Sequence, residues 1–424
     1  MDTLINAIKK FNVWDGKFPN LGYIRNLYID KIFKYSDNNL IKVITGQRRV
    51  GKSYLLRQII KEYIESKNIN PENIFYLNKE YLVFDQINTY KDLENLYQDY
   101  LKEIKPKGKK LIFIDEIQNI ESWEKFVNSY SQDINTEYEI YISGSNSHLL
   151  SGELATYLSG RYIEFEVYPF NFFEYCDFKN QDTNKTNFIN YLKDSGLPEL
   201  FHFDNEEVKR HYFESLINTI VLRDIVNRHK IKDSILLNNL FLYLSSNISN
   251  LVSLPGIIRY YKNQQKKVNY DTLASYLDYL ASTFLFHTAE RYNIRGKTVL
   301  TGEKKYYLND LGFKNYLLGF HAEDMGYNLE NHVFLMLKSH RFKVNVGVIG
   351  KSEVDFIAQK GNEVLYIQVT YLLLSDKTID REFNNLLKIK DNHKKIVISL
   401  DDIRFDNKDG IIHLRPWELN KYLN

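Results

Sequence analysis

Ile41-Lys-Val-Ile-Thr45, Gly46-Gln-Arg-Arg-Val-Gly51-Lys52-Ser53 and Tyr54-Leu-Leu-Arg-Gln-Ile-Ile-Lys-Glu-Tyr-Ile64 follow one another without a break. The first run is short and β-branched, as a buried strand requires, and the last carries apolar residues at helical spacing. Between them Gly46, Gly51, Lys52 and Ser53 fill every fixed position of the phosphate-binding pattern G-x-x-x-x-G-K-[ST]. A strand that ends in a glycine-rich turn and reopens as a helix gathers backbone N–H groups and a helix N-terminus around one point, which suits phosphate. The glycines let the backbone wrap that point, Lys52 is expected to reach the β- and γ-phosphates, and the Ser53 hydroxyl to ligate Mg²⁺. The expected nucleotide contacts are therefore Gly46, Gln47, Arg48, Arg49, Val50, Gly51, Lys52, Ser53 and the adjoining Tyr54. A chance glycine-rich turn would not come flanked by that strand and that helix.

The other half of such a site follows downstream. Lys110-Leu-Ile-Phe-Ile-Asp115-Glu116 is an apolar strand ending in two carboxylates. It is expected to deliver Asp115 to the Mg²⁺ shell and Glu116 to the attacking water as a general base. The next strand, Glu139–Ile142, runs into Ser143-Gly-Ser145-Asn146. Asn146 is placed to hold the lytic water or the γ-phosphate, and Asn78 after the Ile74–Leu77 strand is similarly poised. Small polar residues also make ordinary turns, and the sequence does not choose. Arg161, in Leu158-Ser-Gly-Arg161 before the strand Tyr162–Val167, is expected to act as an arginine finger on a neighbouring subunit's γ-phosphate; the alternative is a surface arginine at a strand start.

The chain has 424 residues, which predicts two or three domains, and its 44% hydrophobic and 26% charged residues exclude a disordered or fibrous protein. A formal net charge of +2 demands no whole-molecule attraction to nucleic acid but leaves room for a local basic patch. The one cysteine, Cys176, reads as a packing residue and fits a reducing compartment. The opening MDTLINAIKKFNVWDG mixes charges with no apolar core of signal-peptide length, and no run of about 18 apolar residues occurs anywhere. A cytoplasmic protein without a membrane segment is expected.

From about residue 20 to 170, strand-like and helix-like stretches alternate, as in a parallel α/β sheet. From about 186 to 250 the periodicity is helical. Leu254–Gln264 and Tyr270–Leu285 then read as two helices, followed by strands Phe286–Tyr292 and Lys304–Leu308 on either side of Arg295-Gly296-Lys297, the order of a winged helix-turn-helix. Alternation returns from about 325, with a helix at Asn328–His340 and strands around Val344–Gly347, Glu353–Gln359, Val364–Val369 and Lys395–Ser399. The expected organisation is α/β: a P-loop domain at 1–177, a helical and winged-helix segment at 186–320, and a small α/β domain at 325–424.

These motifs, in this order, resemble AAA-type ATPases. More narrowly, the chain is similar to a bacterial and archaeal family that joins an N-terminal ATPase to a C-terminal restriction-endonuclease-like domain. The resemblance rests on the phosphate loop, Phe113-Ile-Asp-Glu-Ile-Gln118, Ser143-Gly-Ser-Asn146, Leu158-Ser-Gly-Arg-Tyr-Ile-Glu164 and Val167-Tyr-Pro-Phe-Asn-Phe-Phe-Glu-Tyr175, and extends through Leu192–Leu200 and Val354-Asp-Phe356. It implies ATP hydrolysis and a nucleic-acid target. Nucleases of that type place an Asp on one strand and Glu-x-Lys on the next, often helped by a helical Glu. The residues here are Glu330, Asp355, Gln368 and Thr370, so an amide replaces the second carboxylate and a hydroxyl the lysine. Both are poor substitutes around a hard divalent cation, and the domain is expected to keep the fold without cleaving.

Arg259, Lys262, Lys266, Lys267, Arg295 and Lys297, with Lys304 and Lys305, gather around the expected helix-turn-helix and wing and are candidates for phosphate contacts; a merely solvated charged surface is the alternative. The leading expectation is thus an ATP- and Mg²⁺-dependent ATPase, a homo-oligomer such as a hexamer, acting on DNA of branched or single-stranded form. A nucleotide-controlled switch binding a protein or effector, and an ATP-dependent nuclease with a shifted site, are the alternatives.

Overall fold

Short runs, apolar and buried on both faces in every strand but the last, an edge strand, build the first sheet. They are β1 (Ile41–Thr45), β2 (Ile74–Asn78), β3 (Lys110–Asp115), β4 (Tyr138–Gly144) and β5 (Tyr162–Glu166), all parallel and ordered β2-β3-β4-β1-β5. The computed structural model describes residues 2–150, 160–373, 376–402 and 409–423, and their contacts group into two units, Met1–Val167 and Tyr168–Asn424.

In the first unit, α1 (Asp2–Phe11), α2 (Asn26–Phe33), α3 (Lys52–Glu65), α4 (Tyr90–Ile104) and α5 (Trp123–Ser131) accompany the sheet. Helix α4 starts where Thr89 accepts from Asp92 N–H and the Asp92 carboxylate returns to Thr89 N–H, a reciprocal capping box. Its Leu93, Leu96, Tyr97 and Tyr100 recur at helical spacing and join Trp123, Phe126 and Val127 of α5 in a core with Phe75, Leu77, Ile112, Ile114 and Ile142 of the strands. Lys42 breaks the apolar rule inside β1. Fully buried, it pairs with Glu139 of β4, whose other oxygen meets Lys109 at 2.7 Å. Removing one partner of such a buried pair costs about 3–5 kcal/mol.

The second unit holds α6 (Phe172–Phe178), α7 (Lys185–Lys193), α8 (Glu206–Thr219), a π-helical stretch at Ile220–Asn227, and α9 (Ser234–Ser246). Then come β6 (Leu251–Val252), α10 (Leu254–Asn263), α11 (Tyr270–Ser282), β7 (Phe286–Asn293) and β8 (Thr298–Leu308). The strands β7 and β8 form an antiparallel hairpin, with β6 on the outer side of β8, so helix, strand, two helices and hairpin follow in winged-helix order. After α12 (Gly312–Leu318) and α13 (Met325–Ser339) come β9 (Lys343–Ile349), β10 (Ser352–Lys360), β11 (Glu363–Val369), α14 (Asp376–Leu387), β12 (Lys394–Ile398), β13 (Ile411–Leu414) and α15 (Pro416–Leu423).

The wing strands continue into the strands of the segment expected at 325–424. Arg291–Asn293 of β7 pair in parallel with Val346–Val348 of β9, and one mixed sheet runs β13-β12-β11-β10-β9-β7-β8-β6. An edge strand presents unpaired N–H and C=O groups, and β9 takes them up. The segments expected at 186–320 and 325–424 therefore share a sheet. Among the described residues, no helix is long and apolar enough to cross a membrane.

Asp310, in the turn after β8, ties this unit together. One of its oxygens accepts from Ser195 Oγ at 2.6 Å and Gly312 N–H at 2.8 Å, the other from Gly196 N–H at 2.8 Å. Burial pushes its carboxyl up to about 6, against these hydrogen bonds. Asp310→Asn turns an N–H donor or a lost acceptor toward Gly196 and is expected to destabilise the second unit by about 1–3 kcal/mol. Because the folded chain keeps a proton that the unfolded chain has released, wild-type stability falls as pH rises from 3.8 to about 6. Urea unfolding of both proteins should show their gap narrowing across that window; a widening gap contradicts the assignment.

Candidate functional site

Parallel pairing puts the C-terminal ends of β1, β2, β3 and β4 on one edge, with Asn78 beside Asp115 and Ile114 beside Ile142 in register. The phosphate loop leaves β1 at that edge. Gly46 has φ of 141°, and a Cβ there would collide with the Val167 carbonyl, so no other residue fits. Arg49 and Gly51 also take positive φ, 73° and 97°, and Gly51 forms the N-cap of α3. This left-handed backbone turns successive N–H groups inward and then releases the chain into a helix.

Lys52, buried on the first turn of α3, donates to the carbonyls of Gly46 at 3.0 Å and Gln47 at 3.2 Å, and its ammonium lies 3.6 Å from Glu116 Oε1. Ser53 follows it. Arg48 pairs with Glu80 at 3.0 Å beyond β2, and Tyr54 stands 44% exposed beside the loop, its ring packed where a Cβ on Gly22 would be 3.1 Å away. Gln58, one turn along α3, holds the preceding segment down: its amide donates to the Leu21 and Tyr23 carbonyls, both at 2.8 Å, and accepts from Arg25 N–H at 3.1 Å.

Asp115 is wholly buried at the end of β3, where the Asn78 amide donates to it at 2.8 Å, the Tyr76 hydroxyl at 3.4 Å, and the Ser143 hydroxyl at short range. Burial and then the Glu116 charge push its carboxyl up, while Ser143, Ser53 and Lys52 pull the other way. Glu116 behaves oppositely. Burial opposes its charge, but Lys52 and hydrogen bonds from Gln118 and Ser145 hold its carboxyl below the usual range. The two adjacent acids are thus driven apart: Glu116 is held ionised, while Asp115 gains proton affinity. A hard dication fits beside Asp115, where the donors are carboxylate and hydroxyl oxygens.

Several of these contacts escape sequence reading. Glu116 itself has φ of 56°, and this left-handed step swings Gln118 back so that its amide meets Glu116 Oε2. Ser145 Oγ donates to the same oxygen at 3.0 Å, one residue before the expected Asn146, which is also buried at this edge. Ser143 additionally accepts Glu116 N–H at 3.1 Å. The Gln118 role was present in Asp115-Glu116-Ile-Gln118, but nothing in spacing reveals a left-handed glutamate.

Arg161 lies elsewhere. Its carbonyl accepts from Ile41 N–H at 2.9 Å, at the start of β1 and β5, so the exposed side chain stands at the opposite edge of the sheet from its own phosphate loop. Four or five residues of strand, at about 3.3 Å each, separate them. Leu158 and Ser159 of the same motif lie outside the described residues.

In the second unit, Arg259 and Lys262 sit on α10, Lys266 and Lys267 in the turn before α11, and Arg295 and Lys297 in the hairpin turn, all exposed. Lys305 is different: it is buried, and its ammonium meets Glu330 at 3.0 Å and Glu353 at 2.8 Å, with Asp355 at 3.9 Å. Its expected role as a surface phosphate contact is corrected accordingly. Gln368 is buried on β11, and Thr370 half-buried just beyond it donates its N–H to the Ile398 carbonyl at 3.0 Å.

Comparison with known proteins accords with the first unit's geometry. Residues 38–176 match the AAA domain family, and 185–324 match a domain of unknown function (DUF8612). Over 403 aligned residues the chain is 37% identical to an uncharacterized protein of Haemophilus influenzae, covering 93% of this chain and 98% of that protein. This chain belongs to that protein's family, and its residues 38–176 form an AAA domain with a P-loop. An uncharacterized protein of Methanocaldococcus jannaschii is 31% identical over 412 residues, covering 89% of this AAA-domain chain and 87% of its own. Among solved structures, a Walker-type ATPase of Pyrococcus abyssi matches 70% of this chain and 96% of its own at 16% identity, with a TM-score of 0.44.

Gly144 offers a test of the Glu116 environment in this ATPase. A Cβ there would come 2.6 Å from Gln118 Oε1 and 3.0 Å from Leu149. Gly144→Ala is expected to push Gln118 off Glu116 and slow ATP turnover about tenfold or more, with nucleotide affinity kept, as Gln118→Ala should do too. Phosphate release and fluorescent-nucleotide titration check both; a wild-type rate in both variants contradicts the role given to Gln118.

Proposed function

We propose that the chain binds ATP with Mg²⁺ at the loop Gly46–Ser53 and hydrolyses it. The observation that carries this reading is the convergence of Lys52, Ser53, Asp115 and Glu116 at one sheet edge, with the two acids held in opposite protonation tendencies. The loop amides and Lys52 hold the phosphates, Gln47, Arg48, Arg49 and Val50 shape the loop, and Tyr54 offers a ring for the base. Ser53 and Asp115 would hold Mg²⁺, which would supply positive charge to the phosphates. Glu116 takes the proton of the attacking water, kept ionised by Lys52 and aimed by Gln118 and Ser145; Asn146 stands close by for the water or γ-phosphate. Because Arg161 stands at the opposite sheet edge from its own loop, its finger role requires a second copy, and this reading makes the active form a homo-oligomer such as a hexamer; a cytoplasmic location belongs to the same reading.

Residues 168–424 are, on this reading, a DNA-binding arm with a nuclease-like end that no longer cleaves. The exposed Lys266, Lys267, Arg295, Lys297, Arg259 and Lys262 supply contacts to the phosphate backbone. One observation favours a second reading. Helix α11, the second of the helix-turn-helix, exposes Asp271 and Asp278 and has no lysine or arginine. Such a face does not suit a groove of DNA, and it fits better a nucleotide-controlled switch that docks a protein or effector there.

A mixing experiment separates these readings. Lys52→Ala and Arg161→Ala should each be nearly inactive alone, and phosphate release should recover when the two are combined, since an intact loop then meets an intact finger. Titrating single-stranded, duplex and branched DNA into the wild type should stimulate release, with affinity falling steeply with salt and no strand cut. Failure to recover despite verified subunit exchange contradicts the finger. DNA that neither binds nor stimulates favours the switch, and Asp355-dependent cutting would establish a nuclease.

A further inference from the structure

Outside the nucleotide edge, the densest set of ionisable groups lies where β8, α13 and β10 meet. Glu330 projects from α13, Glu353 and Asp355 from β10, and Lys305 from β8. All three carboxylates are turned toward one ammonium. Lys305 Nζ lies 2.8 Å from Glu353 Oε1, 3.0 Å from Glu330 Oε1 and 3.9 Å from Asp355 Oδ1. Two of the carboxylates are also held by the protein: Tyr307 donates its hydroxyl to the same Glu330 Oε1 at 2.8 Å, and Val369 its N–H to the other Asp355 oxygen, Oδ2, at 2.8 Å.

A nuclease-like end would carry a divalent cation at this spot, ringed by oxygen ligands at about 2.0–2.6 Å. The residues present do not fit one. We propose that the Lys305 ammonium is the resident cation of this cluster, standing in the place of a metal, so that the carboxylates form a closed ionic lock between the winged-helix strand and α13 with β10. An ammonium supplies three donors and one charge, enough to gather the acids but unable to activate water as a dication does. Among the described residues, no group of three or more His, Cys, Asp or Glu side chains has the spacing of a metal site. One acceptor nearby is left over: Gln368 Oε1, on β11 next to β10, is buried without a hydrogen-bond partner among the described residues.

The proposal takes from the nuclease-like reading only the place where a metal would be sought. It makes an unusual forecast, that removing a cation from the protein creates a metal site. In Lys305→Ala, Glu330, Glu353, Asp355 and Gln368 would offer oxygens around an emptied centre. Equilibrium dialysis of nucleotide-free full-length protein against Mn²⁺ should show Lys305→Ala binding about one ion more than wild type, an excess lost when Glu330→Gln and Asp355→Asn are added. An unchanged count in folded Lys305→Ala would overturn the proposal. Uncompensated buried acids can prevent that variant from folding. The wild type then decides against its own Glu330→Gln, Asp355→Asn form: equal Mn²⁺ binding supports the lock, and a loss of bound Mn²⁺ in the double variant overturns it. DNA cutting by wild type with equal Mn²⁺ counts would sink the non-cleaving reading and leave the lock standing.

Discussion

Parallel strand pairing is the constraint on which the nucleotide site depends. Since β1, β3 and β4 all run the same way, Thr45, Asp115 and Gly144 end together, and everything that follows each strand falls on one edge. Without that alignment, the loop's N–H groups, Asp115 and Glu116 would be unrelated features. With it, Lys52 and Glu116 come within 3.6 Å although they are far apart in sequence. The same constraint sends Arg161 to the other edge, because β5 begins where β1 begins. A finger at that end can serve only another copy, so the sheet direction also makes assembly part of the chemistry proposed here.

Burial gives that alignment its electrostatic content. In water Asp115 and Glu116 would titrate alike; enclosed, each responds to its nearest charges. Lys52 holds Glu116 ionised, and Glu116 in turn raises Asp115. Adjacent residues with opposite tendencies can therefore divide metal binding from proton transfer. The second unit uses burial differently. Lys305 gathers Glu330, Glu353 and Asp355 into a cross-link, and Asp310 accepts two donors from Ser195-Gly196 and one from its own turn. These are fastenings, which suits a unit whose winged-helix strands and C-terminal strands form one continuous sheet.

Much of the first unit was legible in the sequence because its signals are local. A buried parallel strand is an unbroken apolar run, and Gly46, Gly51, Lys52 and Ser53 are fixed by backbone shape within a single turn. Asp115 and Glu116 announce themselves by ending such a run. What escaped depends on conformation or on distant segments. Gln118 reaches Glu116 only because Glu116 adopts a left-handed φ, and Gln58 matters through its grip on Leu21 and Tyr23. Lys305 looked like one of several basic residues near a wing, and only the contact of β8 with α13 and β10 surrounds it with Glu330, Glu353 and Asp355, which no local pattern encodes. The two-residue β6 and the four-residue β13 were too short to read.

The central claim is that Glu116 is the base while Asp115, Ser53 and Lys52 hold the nucleotide. Glu116→Gln tests it most directly, since the amide keeps the side chain's shape and removes only its charge. Equilibrium binding of labelled ATP and the rate of phosphate release should be measured together on the same preparation. The account predicts ATP bound at least as tightly as by wild type and released phosphate slowed by about 10²-fold or more. Turnover equal to wild type, with ATP bound normally, would contradict it.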